Sequence, residues 1–353
     1  MGKEKKVTIY SIAKEAGVSP STVSRVLTNS ANVNSEKKER ILELIDKYNF
    51  TPSAVARGLT DTKSKIIGII VADVRNNFYA DMYVACERAA VKEAYTVMML
   101  NSFGDIEMEK KQLGKLIEWR ADAIIHMGGA VDSMKTNKEY AELVNSVAGT
   151  IPFVVTGKLD GTNCYRVQID AAAAMDMLVD HLVANGNMKI ALLGGRIDVE
   201  STYVKYNRFK DLVSKYNLKE NAVLTDNWGG YSVEEGETTM DMLFKKLTLA
   251  AKPIPDAVIC INDNTAVGAL KSIRKHGYRV PEDISIVSYD NINLASIVEP
   301  GITSVAYDYE GFGSTIVRTA VDAIDGKNVS RMIFVKPKEL IVRQSSDYKR
   351  NNV

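Results

Sequence analysis

Hydroxyl and guanidinium groups recur near the start of the sequence at a spacing that suits contact with DNA bases. If residues 20–27 form a helix, one face carries the polar or small residues Pro20, Ser21, Ser24 and Arg25. The other face carries the apolar residues Val23, Val26 and Leu27. Hydroxyls and an arginine reach base edges when such a helix lies in the major groove, and Arg25 is suited to guanine. The alternative is an ordinary helix pair in which Arg25 is only solvated.

The surrounding residues predict the helices that would position this face. Thr8 is placed to cap a first helix, and Ser19 to cap the second, with Pro20 at its first position. Between them Gly17 suits a left-handed helix end. The first helix would bury one face, formed by Ile9, Ile12, Ala13 and Ala16. A short turn between two helices is therefore expected.

A third helix is predicted from residue 36 to about residue 48, with Ser35 as its cap. Its inward residues would be Ile41, Leu42, Leu44, Ile45 and Tyr48. Three helices of this length share only a small core, so the head is marginal when it stands alone.

The stretch TIYSIAKEAGVSPSTVSRVL resembles the N-terminal signature of the LacI/GalR family of bacterial transcription repressors. The segment SAVARGL within residues 50–62 is similar to the hinge of purine-repressor-like members of that family. The resemblance implies a hinge helix that folds on DNA beside its twin and inserts Leu59 into the minor groove, whereas the plain alternative is a simple linker. The DNA-binding candidates are Thr8, Tyr10, Ser19, Pro20, Ser21, Thr22, Ser24, Arg25, Thr28, Asn32, Ala56, Arg57 and Leu59.

From Lys63 onward, apolar runs alternate with amphipathic stretches. Strands are predicted at 66–72, 96–101, 123–127, 153–156, 190–193, 258–261 and 284–289. Helices are predicted at 79–94, 107–120, 175–185, 207–216, 266–276 and 312–325. This alternation indicates parallel sheets with helices on both faces, and the length suits two such lobes.

Polar residues follow many of these apolar runs, at the end of the sheet where ligands bind in folds of this kind. Carboxylates, amides and cations beside an aromatic ring suit a small polyhydroxylated or heterocyclic ligand. Each such residue has an alternative role, because Asp and Asn in these loops often cap the next helix. The sequence places there Asp73, Asn76, Phe78, Asn101, Lys158, Arg196, Asn262, Asp263, Asp290 and Asn291.

The segments INDNTAVGAL, YRVPEDISIVSYDN and PGITSVAYDYEGFG are also similar to the C-terminal core of the same family. The resemblance implies that Phe78, Arg208, Tyr231, Asp263 and Asp290 contact an effector, with Trp228 as a second aromatic candidate. The effector-binding candidates are therefore Asp73, Asn76, Phe78, Asn101, Lys158, Arg208, Tyr231, Asn262, Asp263 and Asp290.

Charge and composition agree with a small DNA-binding head on a larger body. Residues 1–63 hold 11 Lys and Arg against 7 Asp and Glu, whereas the rest holds 34 against 37. The three cysteines, Cys86, Cys164 and Cys260, are too widely spaced for a disulfide framework or a metal site. There is no apolar signal core or membrane-length run, so we expect a cytoplasmic protein without membrane contact.

Enzyme motifs are missing from the sequence. No G-x-G-x-x-G or P-loop pattern is present, and no cofactor or metal is expected. His126, His181 and His276 have no nucleophile or carboxylate at motif spacing and are read as structural.

The resemblance implies a helix-turn-helix domain (1–49), a hinge (50–63) and a periplasmic-binding-protein-like body of two α/β lobes. The first lobe would take 64–165 and 295–325, and the second 166–292 and 328–346. A homodimer would bind a palindromic double-stranded DNA operator, and a sugar or nucleobase-like effector between the lobes would change its affinity. The polar end QSSDYKRNNV gives no tetramer-forming heptads. Two alternatives stay open: a catabolite-control-type regulator with a protein corepressor, and a sugar-binding or enzymatic body without operator specificity.

Overall fold

The computed structural model describes residues 7–28, 33–50, 63–220 and 229–350. The chain divides into two compact units, Met1–Ser64 and Lys65–Val353. The first unit is the head and contains three helices: α1 (Ile9–Ala16), α2 (Pro20–Thr28) and α3 (Ser35–Lys47).

Local capping fixes the ends of the head helices. The Thr8 hydroxyl accepts from the Ser11 N–H, and the Ser11 side chain returns the contact to the Thr8 N–H, so both orphan donors at the start of α1 are satisfied. Gly17 ends α1 at φ 69°, and the Ser19 hydroxyl accepts from the Thr22 N–H at the start of α2.

The apolar faces of the three helices meet in one core. It contains Ile12, Ala13, Ala16, Val23, Val26, Ile41 and Leu44. Three expectations for α3 were wrong. Asn34 caps this helix in place of Ser35, because its side chain accepts from the N–H groups of Glu36 and Lys37. Leu42 is 47% exposed, and Tyr48 lies at the surface, where its hydroxyl donates to Glu15.

The second unit is the body. Its strands are β1 (Ile66–Val71), β2 (Thr96–Asn101), β3 (Ala123–Met127), β4 (Phe153–Val155), β5 (Tyr165–Ile169), β6 (Lys189–Leu193), β7 (Lys219–Glu220), β8 (Ala257–Cys260), β9 (Ser285–Asp290), β10 (Thr303–Ala306), β11 (Met332–Val335) and β12 (Glu339–Ile341). Its helices are α4 (Asn77–Lys92), α5 (Ile106–Glu118), α6 (Lys138–Ala148), α7 (Ala171–Ala184), α8 (Glu200–Tyr216), α9 (Val233–Leu249), α10 (Asp263–Lys275), α11 (Asn293–Ile297) and α12 (Tyr309–Ile324).

These strands form two six-stranded sheets. The first has the order β11-β5-β4-β3-β1-β2 and is parallel throughout. The second has the order β12-β10-β9-β8-β6-β7 and is parallel except for the antiparallel edge strand β12. Helices cover both faces of each sheet and bury nearly continuous apolar strands, as parallel sheets require. We call the two halves the first lobe and the second lobe.

The chain passes between the lobes three times: from β5 to α7, from β10 to α12, and from β11 to β12. Three predicted lobe boundaries therefore differ from the sheets. Residues 166–169 were expected in the second lobe but lie in β5 and pair with β4 and β11 of the first. Residues 303–306 were expected in the first lobe but pair with β9 of the second. Residues 332–335 were expected in the second lobe but pair with β5 of the first. All three strands lie beside a crossing, where sequence patterns carry no sign of which sheet a short strand joins.

Candidate DNA-binding surface and interlobe cleft

The polar face of α2 is available for contact with a partner. Ser21 and Arg25 are exposed, and Tyr10 of α1 is 71% exposed. Arg25 makes no ion pair within the part of the chain that the structure describes. On the opposite side Val23 and Val26 are buried in the head core, so the core fixes which way this face points.

The hydroxyl groups at the start of α2 lie together. The Ser19 hydroxyl lies 2.7 Å from that of Ser21 and 2.9 Å from that of Thr22. Pro20, Thr22 and Ser24 are half-buried, and the Thr8 hydroxyl is engaged in capping α1. Asn32, Ala56, Arg57 and Leu59 lie outside the described residues, and so does the side chain of Thr28.

In the second lobe, the side chains of Asn262 and Asp263 make hydrogen bonds within the protein. The Asn262 side chain caps α10 and donates to the Tyr231 carbonyl over 3.0 Å. The Asp263 carboxylate accepts from the Ser288 hydroxyl and from the Ile292 N–H. Burial, with the negative charge of Asp290, raises the pKa of Asp263 to about 7. Asn262 thus takes the capping role that the sequence left as its alternative, whereas Asp263 binds β9 and the loop that follows it.

Asp290, at the carboxyl end of β9, differs from Asp263. It is 9% exposed, has φ 93°, and its carboxylate makes no hydrogen bond or ion pair with any described residue. Burial raises its pKa to about 6, Lys205 opposes that rise, and Asp81 of the first lobe adds to it. The carboxylate is therefore a buried acceptor close to the first lobe, with its own hydrogen-bonding capacity unused.

Lys205 of α8 is a functional candidate that sequence reasoning missed. It is buried, its Nζ donates to the Ile261 carbonyl over 3.2 Å, and the same atom lies 3.8 Å from the centre of the Tyr289 ring. Burial lowers its pKa to about 8, and the charges of Asp290 and Asp263 oppose this decrease.

Arg208, which the resemblance implied as an effector contact, lies one helical turn further along α8. Its guanidinium forms a two-bond ion pair with Asp176 of α7, at 2.7 and 3.0 Å. That pairing joins two helices of the second lobe and occupies the side chain, so Lys205 and not Arg208 is the cation near Asp290.

The first-lobe candidates have mixed roles. Asn76 caps α4, and Asn101 accepts from the Val74 N–H over 2.9 Å. Asp73 binds Arg75 at 2.6 Å, and Lys158 lies 3.3 Å from Asp160. Phe78 packs edge-on against Tyr309 and contributes to a core in each lobe, so it lies where the lobes meet.

Tyr231 and the unpredicted Asp132 bring polar groups of opposite lobes near one another. The Tyr231 hydroxyl lies 3.0 Å from the Thr202 hydroxyl, and burial raises its pKa to about 12. Asp132 follows β3 in a short 3-10 turn, Gly129–Asp132. Burial, followed by the charge of Glu200 in the second lobe, raises the pKa of Asp132 to about 7. Trp228 lies outside the described residues.

The lobes also touch directly. The Met134 N–H donates to the Asp198 carbonyl over 2.7 Å, and Ser133 and Val199 form an antiparallel bridge. The Gln168 side chain donates to Glu200 over 3.1 Å, and the Tyr309 hydroxyl donates to the Asp290 carbonyl over 2.9 Å. Between these contacts lies the interlobe cleft, which we define by Asp132, Glu200, Lys205, Tyr231 and Asp290.

The three histidines make structural contacts. His126 is buried with its Nδ1 2.9 Å from the Tyr140 hydroxyl, His181 binds the Ser346 hydroxyl, and His276 packs against the Phe244 ring. Within the described ranges no group of three metal-ligating side chains occurs. No helix in those ranges has both the length and the apolar character to cross a membrane.

Comparison with known proteins agrees with this architecture. Residues 8–53 match the description "Bacterial regulatory proteins, lacI family", and residues 179–346 match "Periplasmic binding protein-like domain". The chain is 31% identical over 339 residues to catabolite control protein A of Staphylococcus epidermidis, covering 96% of this chain and 98% of that protein. The chain belongs to the lacI family.

LacI-family membership makes the chain a DNA-binding transcription regulator and not an enzyme. The corresponding protein of Staphylococcus xylosus is 29% identical over 96% of this chain and 98% of its own length. Among solved structures, the lac repressor dimer bound to operator and the anti-inducer ONPF has a TM-score of 0.84 at 24% identity, covering 97% of this chain and 99% of that one. The CelR–cellobiose complex has a TM-score of 0.68 at 22% identity, covering 96% and 100%. These two similarities show that the chain shares the fold of those proteins.

Proposed function

We propose that this regulator is a homodimeric repressor that binds a palindromic operator, and that a small molecule in the interlobe cleft changes its operator affinity. The observation that carries the ligand-responsive part is Asp290. Its carboxylate is largely buried and accepts no hydrogen bond from the described residues, so its acceptors are available to the donors of a ligand. Its position at the carboxyl end of a parallel strand is where ligands bind in α/β folds.

The DNA-binding part rests on the exposed Ser21 and Arg25 of α2. Arg25 would bind a guanine in the major groove, and each subunit would bind one half-site. The predicted hinge, with Leu59 in the central minor groove, completes the proposed interface. The lac repressor structure described above, a dimer on its operator, supports this arrangement.

Linkage connects the two parts. A ligand that binds one closure angle of the lobes more tightly than another shifts the population toward that angle. If the two angles hold the paired heads at different spacings, operator affinity changes by the ligand's differential affinity for them. The direct contacts between Met134 and Asp198 and between Gln168 and Glu200 are the bonds that such a change would break or form.

The test is fluorescence anisotropy with DNA from upstream of the protein's own coding sequence, with and without a panel of sugars and purines. A preference for one DNA segment over random DNA, changed by at least one compound, supports the proposal. Equal affinity for both DNAs would contradict operator binding and leave a ligand-binding body. A fixed operator affinity with every compound would contradict the effector role.

A second candidate function is regulation through a protein corepressor. It is favoured by the 31% identity to catabolite control protein A. In that case the purified chain would bind its operator weakly, and a fraction of cell extract would restore tight binding without any small molecule. Tight binding by the chain alone would count against it.

A further inference from the structure

The corner that follows β9 has an unfavourable backbone conformation. Asp290 and Asn291 are consecutive, and both have positive φ angles, 93° and 50°. A Cβ atom disfavours this region, and Asn and Asp adopt it mostly as single residues. Two such residues in succession persist only where the surrounding contacts hold them, and strain of this kind is often found at functional sites.

Side chains of the second lobe hold the corner from one side. The Asn291 N–H donates to the Ser304 hydroxyl of β10 over 2.9 Å. The Ile292 N–H donates to the Asp263 carboxylate over 2.8 Å. The Arg343 guanidinium, beyond β12, donates to the Asn291 side chain over 2.7 Å. These contacts fix the corner to the second sheet but leave the Asp290 carbonyl to another partner.

That partner is Tyr309 of the first lobe, whose hydroxyl donates to the Asp290 carbonyl over 2.9 Å. Tyr309 is the first residue of α12, and its ring packs edge-on against Phe78 of α4. Asp290 pairs with Ala306 at the end of β10, so the hydrogen bond spans the crossing segment 307–308. A rotation of the lobes about that segment therefore moves the Tyr309 hydroxyl relative to Asp290.

We propose that Tyr309 is a positioning residue for Asp290. Its hydroxyl holds the left-handed corner at the lobe angle of this structure, and the corner changes conformation when the lobes rotate and the bond breaks. This inference rests on the proposed effector role of the cleft. Because the Asp290 carboxylate belongs to the corner, its position is linked to the lobe angle, and a ligand bound to Asp290 acts on that angle.

Hydrogen–deuterium exchange on the full-length protein tests this coupling without any ligand. Tyr309→Phe removes one hydroxyl and should speed exchange about threefold to tenfold at Asn291 and Ile292, because a hydrogen bond that holds the corner is lost. The variant should also speed exchange at least about threefold at Met134, whose N–H donates to Asp198 across the cleft. A residue that only packs the corner would leave exchange at Met134 unchanged.

Tyr216→Phe is the matched control. It also loses a hydroxyl hydrogen bond, from Tyr216 to Asp180 over 2.6 Å, but both residues lie in the second lobe. Exchange at residues 291–292 and at Met134 should equal that of the native protein, and circular dichroism spectra would establish that each variant is folded. In folded Tyr309→Phe protein, unchanged exchange at residues 291–292, or faster exchange there without a change at Met134, would each overturn the proposal.

A pair of variants at Asn291 tests the strain in the corner. Asn291→Gly and Asn291→Ala both lose the contact with Arg343, and they differ in the cost of a positive φ. We expect the protection of the Ile292 N–H against exchange to be about fivefold or more lower in the alanine variant than in the glycine variant. Equal protection would overturn the corner as the element that moves.

Operator binding separates this proposal from the proposed function. With a sugar or purine that changes the operator affinity of the native protein, Tyr309→Phe should reduce that change about threefold or more, and Tyr216→Phe should not. If the compound acts equally on native and Tyr309→Phe proteins, the effector role stands and the positioning role fails. If Tyr309→Phe speeds exchange at both places but no compound changes operator affinity, the positioning role stands and the effector role fails.

Discussion

The backbone N–H of Met134 in the first lobe donates to the carbonyl of Asp198 in the second over 2.7 Å. The neighbouring residues Ser133 and Val199 form an antiparallel bridge, so two extended segments pair across the cleft. Asp132 directly precedes Ser133, and Glu200 directly follows Val199, so the two carboxylates lie on opposite segments beside the bridge. Closing the lobes at this point therefore brings two negative charges together, and Glu200 adds to the rise in the pKa of Asp132.

The interlobe bridge should be lockable by a disulfide. Directly paired residues of antiparallel segments have Cα separations of about 4.5 to 5.5 Å, which a disulfide spans. We expect the Ser133→Cys, Val199→Cys double variant to cross-link on oxidation and its operator affinity to stop responding to ligand. Mobility on non-reducing gels and anisotropy measure the two effects. The single-cysteine variants are the controls, since the native Cys86, Cys164 and Cys260 are buried. A cross-linked protein that still responds to ligand would contradict the closure mechanism.

Lys205 and Arg208 should differ in their effect on the cleft. Lys205→Met removes the cation near Asp290, so we expect ligand affinity to change about tenfold. Arg208→Ala breaks the ion pair with Asp176, which is partly exposed, and should cost at most about 1 kcal/mol of stability without altering ligand affinity. Calorimetric titration and urea unfolding of both variants measure this. The reverse pattern would restore the role that the resemblance gave to Arg208.

The ligand-free body should become more stable as the pH falls from 7.5 to 6. The folded-state pKa values of Asp132 and Asp263 (about 7) and of Asp290 (about 6) lie above the ordinary value of 3.8, so the folded state binds protons more tightly than the unfolded chain over this interval. The stability that this linkage adds is present at low pH and is lost as the pH rises through those values. The lowered pKa of His181 acts in the opposite direction below about 6.5.

Comparison with the Asp132→Asn variant separates the contribution of Asp132 to this pH dependence from that of the other groups. The variant should show a rise in Tm between pH 7.5 and 6 that is smaller than that of the native protein by about 2 to 4 °C. Scanning calorimetry at each pH measures the difference. Identical pH profiles for the two proteins would show that Asp132 does not titrate in this range.

Arg25 should determine operator specificity. Arg25→Ala removes a two-bond contact to guanine and should weaken operator binding by about 1 to 3 kcal/mol, with little loss on random DNA. Arg25→Lys keeps the charge but not the planar fork, so it should lose most of the same specificity. Anisotropy with operator and random duplexes at several salt concentrations measures both. An equal loss on the two DNAs would mean that Arg25 contacts phosphate and not a base.

Two helices of the second lobe touch through glycines, and this contact should be intolerant of a methyl group. A Cβ at Gly268 of α10 would lie 2.1 Å from the Val233 carbonyl, and one at Gly236 of α9 would lie 2.4 Å from the Thr265 carbonyl. Because backbone atoms cannot move aside, Gly268→Ala should destabilise the body by about 3 kcal/mol in urea unfolding. Gly114→Ala in α5 is the control, because it has open space and should stabilise by about 0.5 to 1 kcal/mol.

The sequence predicted helices and strands most accurately where a periodic apolar pattern ended at a clear capping residue or turn. The helix starts at Thr8 and Ser19 and the strands β2 and β3 agree with the predictions, because each has a polar cap or a continuous apolar run with clear ends. Helix α9 was not predicted, although Ser232 and Glu235 form a capping box before an apolar face. Attention to that pair of residues would have found it.

The cleft was harder to predict because its residues come together only in three dimensions. Arg208 was proposed because the family resemblance implied it, and helical spacing does not indicate which turn of α8 lies nearest Asp290, so Lys205 was missed. Asp132 stands five residues beyond the end of β3, whereas the prediction considered residues directly after each strand. Asp263 was predicted to contact an effector, but only the folded structure reveals that its carboxylate oxygens already accept from Ser288 and Ile292.

The three crossings between the lobes have a consequence for synthesis on the ribosome. The first sheet needs β11 and the second needs β12, and these strands come from residues 332–341. Neither sheet can be completed from a nascent chain that stops short of them, although most other strands have by then emerged. The unpaired edges of β5 and β10 stay open during that interval and are sites where two unfinished chains can pair with each other.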